Sequence, residues 1–235
     1  MVRGAVTSGR TVAGMQITHL GHSCLLVEAA GARLLVDPGT FSDFGDVTDL
    51  DAVLITHQHA DHLDVDRLPA LLEANPAATV HADPQSVTLL QDQGVAAEPT
   101  VAGRTFTCGG VEITPAGSRH AVIHEYLDRI DNVGLLITEP GERSLFHPGD
   151  ALDAEPAGDV DILAVPVNAP WQAVKETIAF VRRIRPRIVV PIHDALLNDV
   201  GRAGYLQHIS GYGLDGGVEV RDLADGRPVD FAGMD

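Results

Sequence analysis

From Met15 onward, short apolar runs rich in Val, Ile and Leu alternate with Gly, Asp and Pro, the punctuation of strands rather than of long helices. Met15–Thr18, Cys24–Glu28, Arg33–Asp37 and Ala52–Thr56 read as four strands in quick succession, separated by Gly21, Gly31 and an Asp-Pro-Gly turn at Asp37–Gly39. Leu68, Leu71 and Leu72 then recur at helical spacing across Asp66–Ala74, behind an aspartate able to cap them. Asp83–Gln93 repeats the pattern after Asp-Pro. A second set of strands is predicted at Thr105–Thr107, Val111–Pro115, Val133–Thr138, Ser144–His147 and Val160–Val165. A helix over Gln172–Ile184 follows, with Val174, Ile178 and Val181 on one face, and then a buried strand over Arg187–Ile192. Strands and helices in that order predict an α/β fold of two βα halves, packed sheet on sheet with helices outside. No repeat, linker or low-complexity segment interrupts the chain, so residues 15–235 read as one domain and 1–14 as a flexible lead-in.

Composition narrows the functional classes. With 235 residues, 45% of them hydrophobic, the chain can bury a sizeable core. A formal charge of -17, spread without a basic stripe, argues against duplex nucleic acid, whose affinity rests on cationic phosphate contacts. The apolar runs are far shorter than the roughly 20 residues needed to span a bilayer. No apolar stretch follows the two arginines near the N-terminus, as a secretory signal would require. Two cysteines, Cys24 and Cys108, cannot form a disulfide framework, which makes the cytoplasm the default compartment. The expected partner is a small-molecule substrate, and a homo-oligomer is left open.

The chemistry concentrates in Thr56-His57-Gln58-His59-Ala60-Asp61-His62, where three histidines and an aspartate leave the end of the apolar strand Val53-Leu54-Ile55. Imidazole and carboxylate together suit Zn, Mn, Fe or Ni, and a loop leaving a strand end can turn these side chains toward two adjacent ions. Other signals fail on context. Gly211–Gly216 matches GxGxxG by letter but follows a helix and precedes strand-like Val218–Val220, the reverse of a dinucleotide site, so it reads as a turn. Gly21-His22-Ser23-Cys24-Leu25 lacks the final glycine of a nucleophile elbow. The two cysteines read as buried thiols, and Trp171 as a packing residue or a lining of the site mouth.

The complete HxHxDH motif resembles the signature of the metallo-β-lactamase superfamily. His120 in Gly117-Ser118-Arg119-His120, Asp150 in His147-Pro148-Gly149-Asp150 and His193 in Val190-Pro191-Ile192-His193 follow in the family's order. The resemblance implies a four-layer αββα sandwich with the metal site at one edge of the sheets. It also implies one ion held by His57, His59 and His120, a second by Asp61, His62 and His193, and Asp150 bridging them. Zinc is the prior for both ions, with Mn, Fe and Ni open. Leu20-Gly21-His22-Ser23 and Val36-Asp37-Pro38 look like the branch that contains ascorbate-6-phosphate lactonase. His124 is a rival to His120, four residues on, if that segment is helical. Asp37, Asp64 and Asp194 are candidate acceptors for the second ring nitrogens of the ligands, and His147 a candidate to orient one. His22, like His19, flanks a glycine turn and reads equally as a turn residue or a site residue. Tyr126 and Arg129, with His124, make the loop from His120 to Asp131 the expected recognition element.

The expected activity is that of a binuclear metal-dependent hydrolase. A bridging hydroxide would attack a small ester-like bond, a lactone first, with Asp61 and Asp150 handling the proton. The alternative is a phosphodiesterase for small molecules or phospholipids, in which Arg119, Arg129, Arg143 or Lys175 meets one phosphate. An iron redox enzyme and a non-catalytic metal-binding protein stand lower.

Overall fold

Residues 14–232 are described by a computed structural model, so the lead-in expected at residues 1–14 lies outside them but for Gly14. Strands β1 (Gln16–His19), β2 (Leu25–Ala29) and β3 (Ala32–Val36) form an antiparallel meander. β4 (Ala52–Ile55), β5 (Thr79–Ala82) and β6 (Glu98–Pro99) extend it in parallel, joined by α1 (Leu68–Ala74) and α2 (Pro84–Asp92). The second sheet holds β7 (Phe106–Cys108), β8 (Val111–Ala116), β9 (Gly134–Thr138) and β10 (Ser144–His147), all antiparallel. It continues through parallel β11 (Ile162–Pro166), β12 (Ile188–Ile192) and β13 (Glu219–Val220). Helices α3 (Val174–Ile184) and α4 (Asp199–Tyr212) make these crossovers, and β14 (Val229–Asp230) returns to pair with β1. Two seven-stranded sheets result.

The period-2 alternation of the strands sorts their side chains between layers. Leu25, Val27, Leu34 and Leu54 meet Ile113, Ile137, Leu145, Ile162 and Val190 of the other sheet in the central core. Leu26, Leu35, Val53 and Ile55 point the opposite way, onto Leu68 and Leu71 of α1 and Val87 and Leu90 of α2. On the far side Leu163, Val165 and Val189 receive Phe180 and Val181 of α3 and Ile209 of α4. The architecture is the expected αββα sandwich. Each fully buried Leu or Ile contributes about 1.5–3 kcal/mol, so three separate apolar layers hold the edges of the two sheets in fixed relation.

Local differences from the expectation have local causes. The aspartate serving α1 is Asp64, not Asp66: its carboxylate accepts from the backbone N–H groups of Asp66 and Arg67, delaying the helix to Leu68. Asp83 caps α2 as expected, accepting from Gln85 and Ser86. Helix α4 runs through Gly211, so the first glycine of the GxGxxG look-alike is helical and only the remainder forms the turn. β6 and β14, two residues each, are too short for the alternation pattern to register, and β5 offers only Val80 and Ala82 as buried positions. No helix among the described residues is long and apolar enough to cross a membrane.

Candidate metal centre

Strands of both sheets deliver their carboxyl ends to one edge of the sandwich, where an α/β sheet offers its binding crevice. β4 leads into Thr56 and the 57–62 loop, β8 toward His120, β10 to Asp150 and β12 to His193, while the β1–β2 turn brings His22. These side chains gather in two groups, His57, His59, His120 and Asp150 in one and His22, Asp61, His62 and His193 in the other. Within each group the potential ligand atoms all lie within 4.8 Å of one another. Asp150 stands between the groups, with Oδ1 3.3 Å from His62 Nε2 and Oδ2 3.3 Å from both His120 Nε2 and His193 Nε2. All seven positions expected from the motif order are therefore brought together.

Two glycines make the approach feasible. Gly39 packs on the 61–62 backbone, where a Cβ would collide with the Asp61 carbonyl. Gly149 has φ +58°, and a Cβ there would run into Asn132 Oδ1 and Thr56 Oγ1. Three non-glycine residues here also adopt left-handed backbone, His22 (φ 52°), Asp37 (φ 49°) and His193 (φ 60°). Such strain, of order 1–3 kcal/mol each, persists only where surrounding contacts enforce it.

The far side of each ring decides what its near side presents. His62 Nδ1–H donates to Asp37 Oδ2 at 2.7 Å, His193 Nδ1–H to the Asn168 carbonyl at 2.6 Å and His120 Nδ1–H to the Ala121 carbonyl at 2.7 Å. Thr56 Oγ1 spends its proton on Asp37 Oδ2 at 2.7 Å, so toward His57 Nδ1, 3.1 Å away, it accepts. In its neutral form each of these four imidazoles thus carries its proton outward and turns a bare Nε2 inward, the form a metal requires. Nε2 of His120, Nε2 of His193 and Oδ1 of Asp150 are buried without hydrogen-bond partners. Such orphans cost about 1–3 kcal/mol each unless something else satisfies them, and acceptors facing one another call for cations.

Without ions the site is electrostatically loaded. Burial holds His57 and His59 below the ordinary histidine pKa. Burial also opposes charge on His62 and His193, but the Asp150 carboxylate, aided by Asp37 and Asp61 respectively, outweighs it, raising His62 well above the ordinary value and His193 to about 9. Burial would raise Asp150, yet His62 and His193 hold it well below the carboxylate range. His193, 3.4 Å from Asp61 Oδ2, and the hydrogen bond from His22 do the same for Asp61.

The remaining expectations divide. Asp37 sits under the site as a histidine acceptor, but Asp64 and Asp194 do not: Asp64 pairs with Arg67 at 2.5 Å and Asp194 with Arg202 at 2.7 Å. His147 is buried one layer back, donating to the Ser23 carbonyl at 2.9 Å and accepting from Gly149 N–H at 3.2 Å. His124 is exposed in a non-helical loop, its Nδ1 accepting from Tyr126 N–H, so the helical-face rivalry with His120 does not arise. Tyr126 is 85% exposed. Arg129 donates to the His120 carbonyl and to Asp153 Oδ2, and thus props a site residue. One contributor escaped the sequence reading: Asn132 accepts from Asp150 N–H at 2.8 Å and donates to the Pro148 carbonyl at 2.9 Å. Trp171, read as packing or as a lining of the site mouth, reaches the site itself, its Nε1–H donating to Asp150 Oδ2 at 3.3 Å.

A family model described as a beta-lactamase superfamily domain matches residues 16–193. The chain belongs to the metallo-β-lactamase superfamily. It is 45% identical over 193 residues to Protein Rv0786c of Mycobacterium tuberculosis, an alignment spanning 81% of this chain and 89% of that one. It is also 28% identical over 194 residues to a UPF0173 metal-dependent hydrolase of Carboxydothermus hydrogenoformans, across 76% and 84% of the two chains. Among solved structures, the superfamily fold matches Igni18, a metallo hydrolase of Ignicoccus hospitalis. The TM-score is 0.73 at 21% identity, covering 94% of this chain and 99% of that one.

Proposed function

We propose that this superfamily member is a binuclear metal-dependent hydrolase of a small ester-like substrate, a lactone first. One observation carries the two-ion reading: bare, buried ring nitrogens and an unpartnered Asp150 oxygen face each other within two adjacent four-residue groups. The likeness to metal-dependent hydrolases supports the reaction class, and the resemblance of Leu20–Ser23 and Val36–Pro38 to the branch that contains ascorbate-6-phosphate lactonase is the reason for trying lactones first. His57, His59 and His120 would hold one ion and Asp61, His62 and His193 the other, with Asp150 shared. Zinc is the first candidate. Bound there, such ions supply Lewis acidity and lower the pKa of water toward neutrality.

The protein's own groups do the rest. Asp37, Thr56 and the carbonyls of Ala121 and Asn168 fix ring tautomers, so the site is organised before anything binds. Asp150 is enclosed, at 4% side-chain exposure, whereas Asp61 is 25% exposed and able to pass a proton to solvent. Trp171 leans over Asp150 and walls a cleft of about 520 Å³ with Val122, Leu152, Ala179 and Phe180, a volume suited to a small molecule. The phosphodiester alternative keeps fewer free cations: Arg119 pairs with Asp131, Arg129 with Asp153, and Arg143 with Asp161 and the Phe231 carbonyl, leaving the exposed Lys175 of α3. Both cysteines are free and buried, which fits a reducing compartment and supports the cytoplasmic assignment.

The test is metal content of protein purified without added metal, with a panel of lactones and phosphodiesters assayed before and after chelation. About two zinc or manganese ions per chain and chelator-sensitive lactone cleavage are expected. Cleavage that survives complete metal removal would refute the mechanism, and iron would move the assignment to redox chemistry.

A further inference from the structure

His22 belongs by distance to the second group, its Nε2 lying 3.1 Å from Asp61 Oδ2, and by proximity alone it would count as another nitrogen ligand. Its other ring nitrogen says otherwise. Nδ1 of His22 faces the backbone N–H of Ala195 at 3.3 Å, a group that can only donate. Nδ1 must therefore accept, and the neutral ring carries its proton on Nε2, pointing at Asp61. His62, His120 and His193 have the opposite arrangement, each with a carbonyl or carboxylate accepting from Nδ1. A nitrogen that bears a proton has no lone pair for a metal.

The backbone of His22 is equally committed. Its carbonyl accepts from His193 N–H at 2.8 Å and from His19 Nε2 at 2.8 Å. Its ring lies 4.0 Å from that of His193, centroid to centroid, and is edged by Phe41 at 5.3 Å. The left-handed backbone at His22 and at His193 brings these two turns, one from each sheet, into register. One residue thus grips the 193–195 turn twice, through carbonyl and Nδ1, and grips Asp61 once, through Nε2–H.

Resting on the two-ion reading, we propose that His22 is a positioning residue rather than a ligand. It orients the Asp61 carboxylate and locks the turn that carries His193, so that both meet the second ion at the correct angle. The inference is specific to the ring's polarity and needs no change of protonation.

Histidine-labelled protein loaded with ¹¹³Cd distinguishes the roles, because a ligating imidazole nitrogen couples to the metal and a hydrogen-bonding one does not. The expected spectrum shows coupling at His62 and His193, and a His22 ring, assigned by its loss in H22A, that keeps an Nε2–H with no coupling. At saturating zinc, H22Q retains the amide donor toward Asp61 and holds as many ions as wild type, with affinity within a few fold. H22A, checked for folding by circular dichroism, still reaches full occupancy but binds the second ion about 10–100-fold more weakly. H62Q loses one ion outright. Cadmium coupling at His22 Nε2, or loss of one ion from H22Q at saturation, would overturn the proposal. Wild-type protein that holds fewer than two ions would instead refute the two-ion reading. The His22 tautomer, read in the metal-free spectrum, would still decide the question raised here.

Discussion

Asp37→Asn is the substitution that most sharply tests the tautomer argument. Asp37 is fully buried, with Oδ1 accepting from Thr56 N–H at 2.8 Å, and Oδ2 accepting from Thr56 Oγ1 and from His62 Nδ1–H, both at 2.7 Å. Asparagine has the same shape but presents one oxygen and one NH2. If the oxygen stays on Thr56 N–H, the amide donates toward His62, which must then accept at Nδ1 and move its proton to Nε2, the position a metal needs bare. The opposite flip would set NH2 against the Thr56 N–H and leave a buried backbone donor unpaired, at about 1–3 kcal/mol. The first arrangement wins. Loss of a group that orients a ligand costs about 10–100-fold in metal affinity, roughly 1.4–2.7 kcal/mol. The fold, keeping its backbone bond and its volume, should lose no more than about 1–2 kcal/mol. Competition titration against a chelator, alongside thermal unfolding of the metal-free protein, separates the two quantities. D37N that binds both ions with wild-type affinity would refute the reasoning.

Three further outcomes follow from the same structure. Gly149→Ala places a Cβ in left-handed backbone against Asn132 and Thr56 and should destabilise the protein by about 3 kcal/mol or more, read as a lowered urea midpoint. Asp83, raised by burial to about 6 from 3.8, favours folding when protonated. Its contribution is complete below about pH 4 and is lost as pH rises through 6. D83N keeps the capping oxygen without the charge, so it should exceed wild type by about 1–3 kcal/mol at pH 8 and match it near pH 4; a difference that does not vary with pH would contradict this. Because metal-free His62 and His193 are pushed toward their protonated forms, loading the site at pH 7 should release about two protons, and affinity should climb as pH rises toward the His193 value of about 9. Calorimetry in buffers of different ionisation enthalpy measures the release, and none detected would argue against those charges.

The sequence carried the architecture because strand alternation and helix spacing are local and repeated: Leu25, Leu26 and Val27 announce two faces of one strand, each with its own core layer. It carried the centre of the site because His57, His59, Asp61 and His62 are neighbours in the chain. His120, Asp150 and His193 are separated by tens of residues, and only their order relative to the motif singled them out. Groups acting at one remove were harder to see. Asn132 sits alone before Val133 with nothing to mark it, and Asp194, adjacent to His193 in sequence, turns away to Arg202 because the left-handed backbone at His193 redirects the chain. His22 stayed ambiguous for a related reason, since its partners Asp61 and Ala195 lie 39 and 173 residues away.

Each four-residue group draws on both sheets. His57 and His59 follow β4 of the first sheet while His120 and Asp150 follow β8 and β10 of the second; His22, Asp61 and His62 come from the first and His193 from the second. An ion in either group would therefore add a cross-link between two halves that otherwise meet at this edge through apolar packing and a few hydrogen bonds, among them His193 N–H to the His22 carbonyl and His147 to the Ser23 carbonyl. Neither half by itself supplies all four members of a group. On the two-ion reading, ion capture would come after the sheets have closed in the correct register, and the tolerance of the folded protein to heat should rise with the metal available to it.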